Sequence, residues 1–128
     1  MTLVAQVDSE TLQVYYYYYL SGGIPNLIND KCVVVPVDCG VDYQLTKASR
    51  NADGTISMVP DPEKVEAAFW DATRQERDTL LKNCDWTQLA DAPLTSEKKA
   101  LWSVYRQNLR DVPSQQTYPT ITWPDPPQ

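Results

Sequence analysis

The sequence contains no histidine, and its three cysteines, Cys32, Cys39 and Cys84, are sparse and odd in number. Serine and cysteine nucleophiles therefore lack the histidine base that usually activates them. Neither a zinc site nor a disulfide framework is expected. Two of the carboxylates of Asp85, Asp91 and Asp111 could be imagined as an acid–base pair, but helix capping at Asp85 and ion pairing at Asp111 explain them more simply. We predict free thiols, no metal, no cofactor and no enzymatic activity.

Long apolar segments and a basic surplus are also missing. No segment approaches the roughly 20 apolar residues that span a bilayer, and residues 1–7 lack the charged start and apolar core of a signal peptide. The formal net charge is −6 and is divided evenly between residues 1–60 and 61–128. Neither half therefore has the surplus of basic residues that is typical of nucleic-acid-binding proteins. We expect a protein that is made in a cytoplasm and binds neither membrane nor nucleic acid.

The N-terminal part has the alternation of apolar and polar residues that is typical of strands, as at Leu3, Ala5 and Val7. A turn sequence at residues 51–54 favours a hairpin near its end. The predicted strands are residues 2–7, 12–20, 32–37, 43–47 and 55–59. Residues 1–60 are therefore predicted to form a small antiparallel β unit.

The second predicted strand contains five consecutive tyrosines, which are Tyr15, Tyr16, Tyr17, Tyr18 and Tyr19. Successive side chains of a strand point to opposite faces, so both faces would be aromatic. Rings of this size gain stability when another surface covers them. Two interpretations remain open: a partner chain covers one face and the tyrosines bind it, or the strand lies inside the chain's own sheet.

The sequence of residues 61–112 predicts two helices that fold back on each other. Asp61 is a good cap and Pro62 suits the first helical position. The second helix begins at Thr95 or Ser96, either of which can cap it. It must end before Pro113, because a proline disfavours helical geometry in the residue that precedes it. A further proline between the helices prevents a continuous rod. We predict an antiparallel helical hairpin whose first helix is covered on more than one side.

All four tryptophans lie in this second half of the chain. The apolar face of the second helix is predicted to contain Leu101, Trp102, Tyr105, Leu109 and Val112. Two helices cannot enclose four indole rings, so some rings must be covered by another part of the molecule or by a partner. We expect Trp86 and Trp102 to lie mainly in the core. Trp70 and Trp123 are the better partner anchors, because aromatic residues are favoured at the centres of interfaces.

Two arginines, Arg106 and Arg110, lie beside the apolar face of the second helix. Their guanidinium groups could bind a phosphate or a carboxylate of a partner. The alternative is an ordinary solvated helix face. Both interpretations stay open at this point.

The last part of the chain, residues 113–128, is rich in proline and cannot form a helix. It also carries large apolar side chains at Tyr118, Ile121 and Trp123, so we expect an extended tail that packs on the hairpin or on a neighbouring subunit. The predicted architecture is thus α+β, with a β unit (1–60), a helical hairpin (61–112) and an extended Pro-rich tail (113–128).

Three short motifs of this half occur together: Asp-Trp-Thr at residues 85–87, W-x-x-Y-R-x-x-L-R-D-x-P at 102–113, and Trp-Pro at 123–124. In combination they resemble the tail assembly chaperone-like domain of tailed bacteriophages, over roughly residues 77–127. The residues that form the structural motif here are Asp85, Trp86, Trp102, Tyr105 and Leu109. The resemblance implies no catalytic residues.

The resemblance implies a phage protein whose partner is a tail fibre or baseplate protein, with a homo-oligomer also compatible with the aromatic surfaces. One hypothesis is a structural or accessory component of the virion tail that is made in the host cytoplasm. A second is a dedicated assembly chaperone that stays in the host cytoplasm and is absent from the mature particle. A third is a receptor-binding module whose tyrosines bind a host glycan.

Overall fold

The computed structural model describes residues 2–20, 27, 29–38 and 42–128. The chain divides into two compact units, one that ends at Val65 and one that comprises Glu66–Gln128. Strands come first and helices second, which confirms the predicted α+β class. The predicted free thiol of Cys39 lies outside the described residues, as do the side chains of Tyr16, Tyr18 and Tyr19, although the backbone of these tyrosines is described.

The first unit contains a three-stranded antiparallel sheet with the order β2-β1-β3. Its strands are β1 (Thr2–Asp8), β2 (Val14–Leu20) and β3 (Cys32–Pro36). The register pairs Val4 with Tyr18 on one side and with Pro36 on the other. The tyrosine strand therefore belongs to the chain's own sheet, at one of its edges.

The turn between β1 and β2 is built around the carboxylate of Asp8. This carboxylate accepts hydrogen bonds from the backbone N–H groups of Thr11 at 2.8 Å and Glu10 at 2.9 Å. The two bonds lower the pKa of Asp8, since they favour its charged form. Leu12 then takes a positive φ of 61°. The second strand consequently begins at Val14 and not at residue 12 as predicted.

The predicted hairpin forms the second sheet, with β4 (Thr46–Arg50) antiparallel to β5 (Ile56–Pro60). Its turn contains Gly54 at a φ of 88°, a conformation that favours glycine. The predicted strand at 43–47 starts later than expected. Residues Tyr43–Leu45 form a 3₁₀ turn instead, because the Asp42 carboxylate accepts a hydrogen bond from the N–H of Gln44.

The core of the first unit lies between the two sheets. It consists of Ala5, Val7, Val35 and Met58. Tyr17 packs against this cluster, and its ring centroid lies 4.8 Å from that of Tyr43. Its hydroxyl is 3.3 Å from that of Thr46. One member of the tyrosine run is thus already engaged within the chain.

The second half of the chain contains two long helices, α1 (Pro62–Asn83) and α2 (Ser96–Asp111). A 3₁₀ turn, Asp85–Gln88, follows α1, and another, Val112–Ser114, follows α2. Of the two predicted caps, Thr95 is the one that caps α2, because its side chain accepts a hydrogen bond from a backbone N–H of the first turn. Neither helix is long and apolar enough to cross a bilayer, nor is any other helix in the described ranges.

The helical unit has a small buried interior, and one residue of the predicted α2 face lies outside it. Its buried cluster is Cys84, Tyr105 and Leu109, with Val112 buried as well. In contrast, Leu101 is 56% exposed, and Thr73 is the buried residue of α1. Half-buried residues occur on both predicted apolar lines of α1, with Phe69 and Leu80 on one and Trp70 and Leu81 on the other.

Candidate partner-binding surfaces of the helical unit

Arg106 joins the end of α1 to α2 from inside the unit. Its Nη1 donates a hydrogen bond to the carbonyl oxygen of Leu81 at 2.8 Å and lies 3.2 Å from the Sγ of Cys84. Its Nη2 pairs with the carboxylate of Asp85 at 2.7 Å. Burial lowers the pKa of Arg106, but the bonds to Cys84 and Asp85 outweigh this effect and raise it. The guanidinium is a fixed cation that connects three segments.

Arg110, one turn further along α2, has a different environment. It is exposed, and its contact is a long 3.5 Å hydrogen bond from Nη1 to the side chain of Gln107. The two arginines that the sequence groups together are therefore separated by the fold. Arg106 holds the unit together, whereas Arg110 faces solvent.

A row of aromatic rings runs from the 3₁₀ turn onto α2. The centroids of Trp86 and Trp102 are 6.4 Å apart, and those of Trp102 and Tyr105 are 5.6 Å apart with the rings nearly perpendicular. Exposure increases along this row, from buried Tyr105 to Trp86, which is 46% exposed. Leu89, which follows Trp86 in the same corner, is 56% exposed. We call Trp86 and Leu89 the corner surface.

The position of Trp86 corrects an expectation from the sequence, which placed this ring mainly in the core. The residue occupies the turn after α1, where its indole ring contacts Trp102 and about half of its surface stays exposed. Of the four tryptophans, it is the one with the most exposed side chain. Large exposed apolar side chains that lie next to each other are typical of interaction surfaces.

A second surface is a cleft of about 410 Å³ between residues 66–74 of α1 and the residues that follow α2. Its lining residues are Glu66, Trp70, Arg74, Pro113 and Gln116. The indole N–H of Trp70 donates a hydrogen bond to the Glu66 carboxylate at 3.2 Å, which fixes the orientation of the ring. We call this feature the Trp70 cleft.

The tail packs on the helices, which is one of the two positions expected for it. Trp123 contacts the buried cluster of Cys84, Tyr105 and Leu109. Tyr118 packs edge-on against Phe69 with ring centroids 5.0 Å apart. The predicted anchor Trp123 is therefore used largely within the unit, whereas the predicted anchor Trp70 lines an open cleft.

Sequence reasoning missed the contribution of Pro113 and Gln116 to a cleft, and the contact between Arg106 and Cys84. Both involve residues that are far apart in the sequence, so no local pattern identifies them. The only available signal was the opposite charge of Asp85 and Arg106. Within the described ranges, no group of three or more acidic, cysteine or histidine residues is placed to hold a metal ion.

Comparison with known proteins bears on this half of the chain. Residues 70–128, slightly less than half of the sequence, match the family model described as phage tail assembly chaperone protein. We call residues 70–128 the chaperone domain after this match. The match confirms the resemblance predicted from the motifs and indicates a role in phage tail assembly. No curated protein and no solved structure matches the chain.

The chaperone domain includes all four tryptophans, the Arg106 contacts and the corner surface. It also includes Trp70, Arg74, Pro113 and Gln116 of the cleft, while Glu66 lies just before its start. The two candidate surfaces therefore lie within the matched residues or directly beside them.

Proposed function

We propose that this protein binds a phage tail fibre or baseplate protein through its chaperone domain, as a non-enzymatic component of tail assembly. The observation that supports the proposal most directly is the Trp70 cleft. It combines a large aromatic side chain with groups of both charge signs at the edge of a chaperone domain. Aromatic anchors surrounded by polar groups are typical of the residues that dominate binding energy at interfaces.

The dimensions of the Trp70 cleft suit a short segment of another chain. A volume of about 410 Å³ accommodates a few side chains. Arg74 pairs with Asp71 at 3.0 Å and Glu66 with the Trp70 indole, so the two charged groups of the cleft already have partners. The exposed lining of the cleft is mainly polar, and Trp70 and Pro113 supply its apolar part. We infer that the occupant is an extended segment that places an apolar side chain on Trp70 and polar groups around it.

The corner surface and Arg110 extend the contact area of the chaperone domain. Trp86 and Leu89 provide exposed apolar surface, and Arg110 is available for a carboxylate of the partner. Arg106 acts as a positioning residue, since its bonds to Leu81 and Asp85 hold the corner in place.

Binding can be measured with the full chain and the tail fibre or baseplate protein encoded by the same phage. We expect a complex with one of the two. Trp70→Ala should weaken it by about 30-fold in Kd, equivalent to about 2 kcal/mol. Val104→Ala is a matched control, because Val104 is 59% exposed and lies outside the cleft. The proposal fails if neither tail protein binds, or if both variants bind as tightly as the original chain.

The location of the protein after assembly is a separate question that mass spectrometry of purified phage particles answers. Stoichiometric copies in the particle correspond to a part of the virion tail. Absence from the particle, together with a complex in the infected cell, corresponds to a chaperone that acts only in the host cytoplasm. In both cases the Trp70 cleft serves as the binding site.

A further inference from the structure

The tyrosine strand β2 lies at an edge of the three-stranded sheet, away from the residues of the chaperone domain in the sequence. In the order β2-β1-β3, the strand β2 lies at one edge and β3 at the other. Among the residues that the structure describes, β2 pairs with β1 alone. One side of its backbone is thus left without a strand partner in this part of the chain.

The register identifies the backbone groups at this edge. The carbonyl oxygen of Leu3 accepts a hydrogen bond from the N–H of Val37, so Leu3 faces the β3 side of the sheet. Alternate residues of an antiparallel strand face opposite neighbours, so Val4 faces β2. Its pairing partner Tyr18 must then face β1. The N–H and C=O groups of Tyr17 and Tyr19 consequently point away from the sheet.

The two edges of this sheet differ in how they resist pairing with another strand. The edge strand β3 has five residues and contains Pro36, which cannot donate a ladder hydrogen bond. In contrast, β2 has seven residues, and none of them is a proline, a glycine or a charged residue. Edge strands are usually protected by prolines or charges, and an unprotected edge pairs readily with another strand.

We propose that β2 pairs antiparallel with β2 of a second copy of this chain, which joins the two sheets into one continuous six-stranded sheet. The strand is complementary to itself. When two copies align antiparallel near the middle of β2, tyrosines of one copy lie opposite tyrosines of the other, because the strand has five tyrosines in a row. Aromatic cross-strand pairs stabilise such a ladder. A two-fold axis relates two identical antiparallel strands, so the assembly closes as a dimer.

The charge distribution favours a second copy over a charged partner. The chain has a net charge of −6, but no charge lies within β2, so the two strands meet without like charges opposite each other. A dimer of this kind presents two chaperone domains. Binding of both to a repetitive tail protein would be strengthened by the high effective concentration of the second domain.

Sedimentation of the full chain over a concentration series tests the dimer. We expect a reversible monomer–dimer equilibrium whose Kd rises about tenfold or more in Tyr19→Pro, because each copy loses an outward N–H donor.

Val34→Pro is the matched control. Its N–H faces outward at the other edge, since the paired Val35 faces β1, and it should leave the dimer Kd unchanged. A monomer at every concentration, or a dimer lost in Val34→Pro and kept in Tyr19→Pro, would overturn the proposal.

Amide hydrogen exchange of the unaltered chain, measured by NMR with ¹⁵N-labelled tyrosine, gives a second test that does not depend on the folding of a variant. The amides of Tyr16 and Tyr18 face β1 and should be protected at all concentrations. The amides of Tyr17 and Tyr19 should become protected only as the dimer forms. Exchange at Tyr17 and Tyr19 that is fast and independent of concentration would contradict the pairing.

Discussion

The β unit and the helical unit bury their apolar side chains in different ways. In the β unit, the buried cluster of Ala5, Val7, Val35 and Met58 contains residues from β1, β3 and β5, so two sheets enclose small aliphatic groups. In the helical unit, a small cluster around Leu109 is covered by rings that remain half-buried or exposed. Among the described residues, the first unit encloses its buried cluster between two sheets, whereas the second unit exposes Trp86 and Leu89 beside a small buried cluster.

This difference follows from side-chain size. A small unit that buries Val and Ala can fill its interior at normal packing density with few elements. Four indole rings need far more surrounding surface than two helices and an extended tail can provide. The helical unit thus combines a small buried interior with exposed apolar side chains, and mutations can test each part separately.

The largest expected effect is at Leu109, which is fully buried. Leu109→Ala should destabilise the helical unit by about 2 to 5 kcal/mol, because it removes buried methyl groups and leaves a cavity. Denaturant unfolding followed by tryptophan fluorescence measures this unit selectively, since all four tryptophans belong to it. Leu101→Ala is the control on the same helix. Leu101 is 56% exposed, so its truncation should cost about 0.5 kcal/mol or less.

The next largest change in the free energy of unfolding is expected at Arg106, and Arg110 serves as its comparison. Arg106→Ala should cost about 1.5 to 3 kcal/mol, because the Leu81 carbonyl loses a charged donor. Arg106→Lys should restore only part of this, since one ammonium cannot reach the positions of both Nη atoms. Arg110→Ala should change stability by about 0.5 kcal/mol or less. Equal effects at the two positions in the same unfolding assay would show that the Arg106 contacts do not form.

A smaller effect is expected at Trp86. Trp86→Ala should cost about 0.5 to 1.5 kcal/mol, the value of a ring contact such as that with Trp102, because the other side of the indole is already exposed. Thermal unfolding measures this change. A loss of several kcal/mol would mean that Trp86 is a core residue, as the sequence alone suggests.

The smallest expected effect is on the pH dependence of stability of the β unit, through the carboxylate of Asp8. The pKa of Asp8 is lowered by the hydrogen bonds from Thr11 and Glu10, so the charged form stabilises the folded state. This contribution is present above the ordinary carboxyl pKa of 3.8 and is lost as pH falls through the lower folded value. Asp8→Asn should therefore reduce the acid dependence of unfolding, measured by circular dichroism between pH 2 and 5. Asp30→Asn, at an exposed position, is the control and should retain that dependence.

Local chemistry made much of the fold predictable. Alternation at Leu3, Ala5 and Val7 identified β1, the cap at Thr95 identified the start of α2, and Pro113 identified the end of that helix. These signals depend on neighbours in the sequence. The start of β2 was missed because Asp8 organises a turn through its side chain.

The candidate surfaces were less predictable, for a physical reason. Helical periodicity shows that Leu101 and Tyr105 lie near the same face, but not how much of that face another element covers. The Trp70 cleft and the contact of Arg106 with Leu81 join segments that are separated by 25 residues or more. Such contacts depend on the path of the whole chain.

The most direct test of the central claim, that the chaperone domain keeps its aromatic surface for a tail protein, is hydroxyl-radical footprinting of the tryptophans with and without that protein. Mass spectrometry would quantify oxidation at Trp70 and Trp86 in the free chain and in the complex with the phage's tail fibre or baseplate protein. The account predicts that oxidation at both residues falls in the complex. Oxidation that is identical in the free and bound states would contradict it.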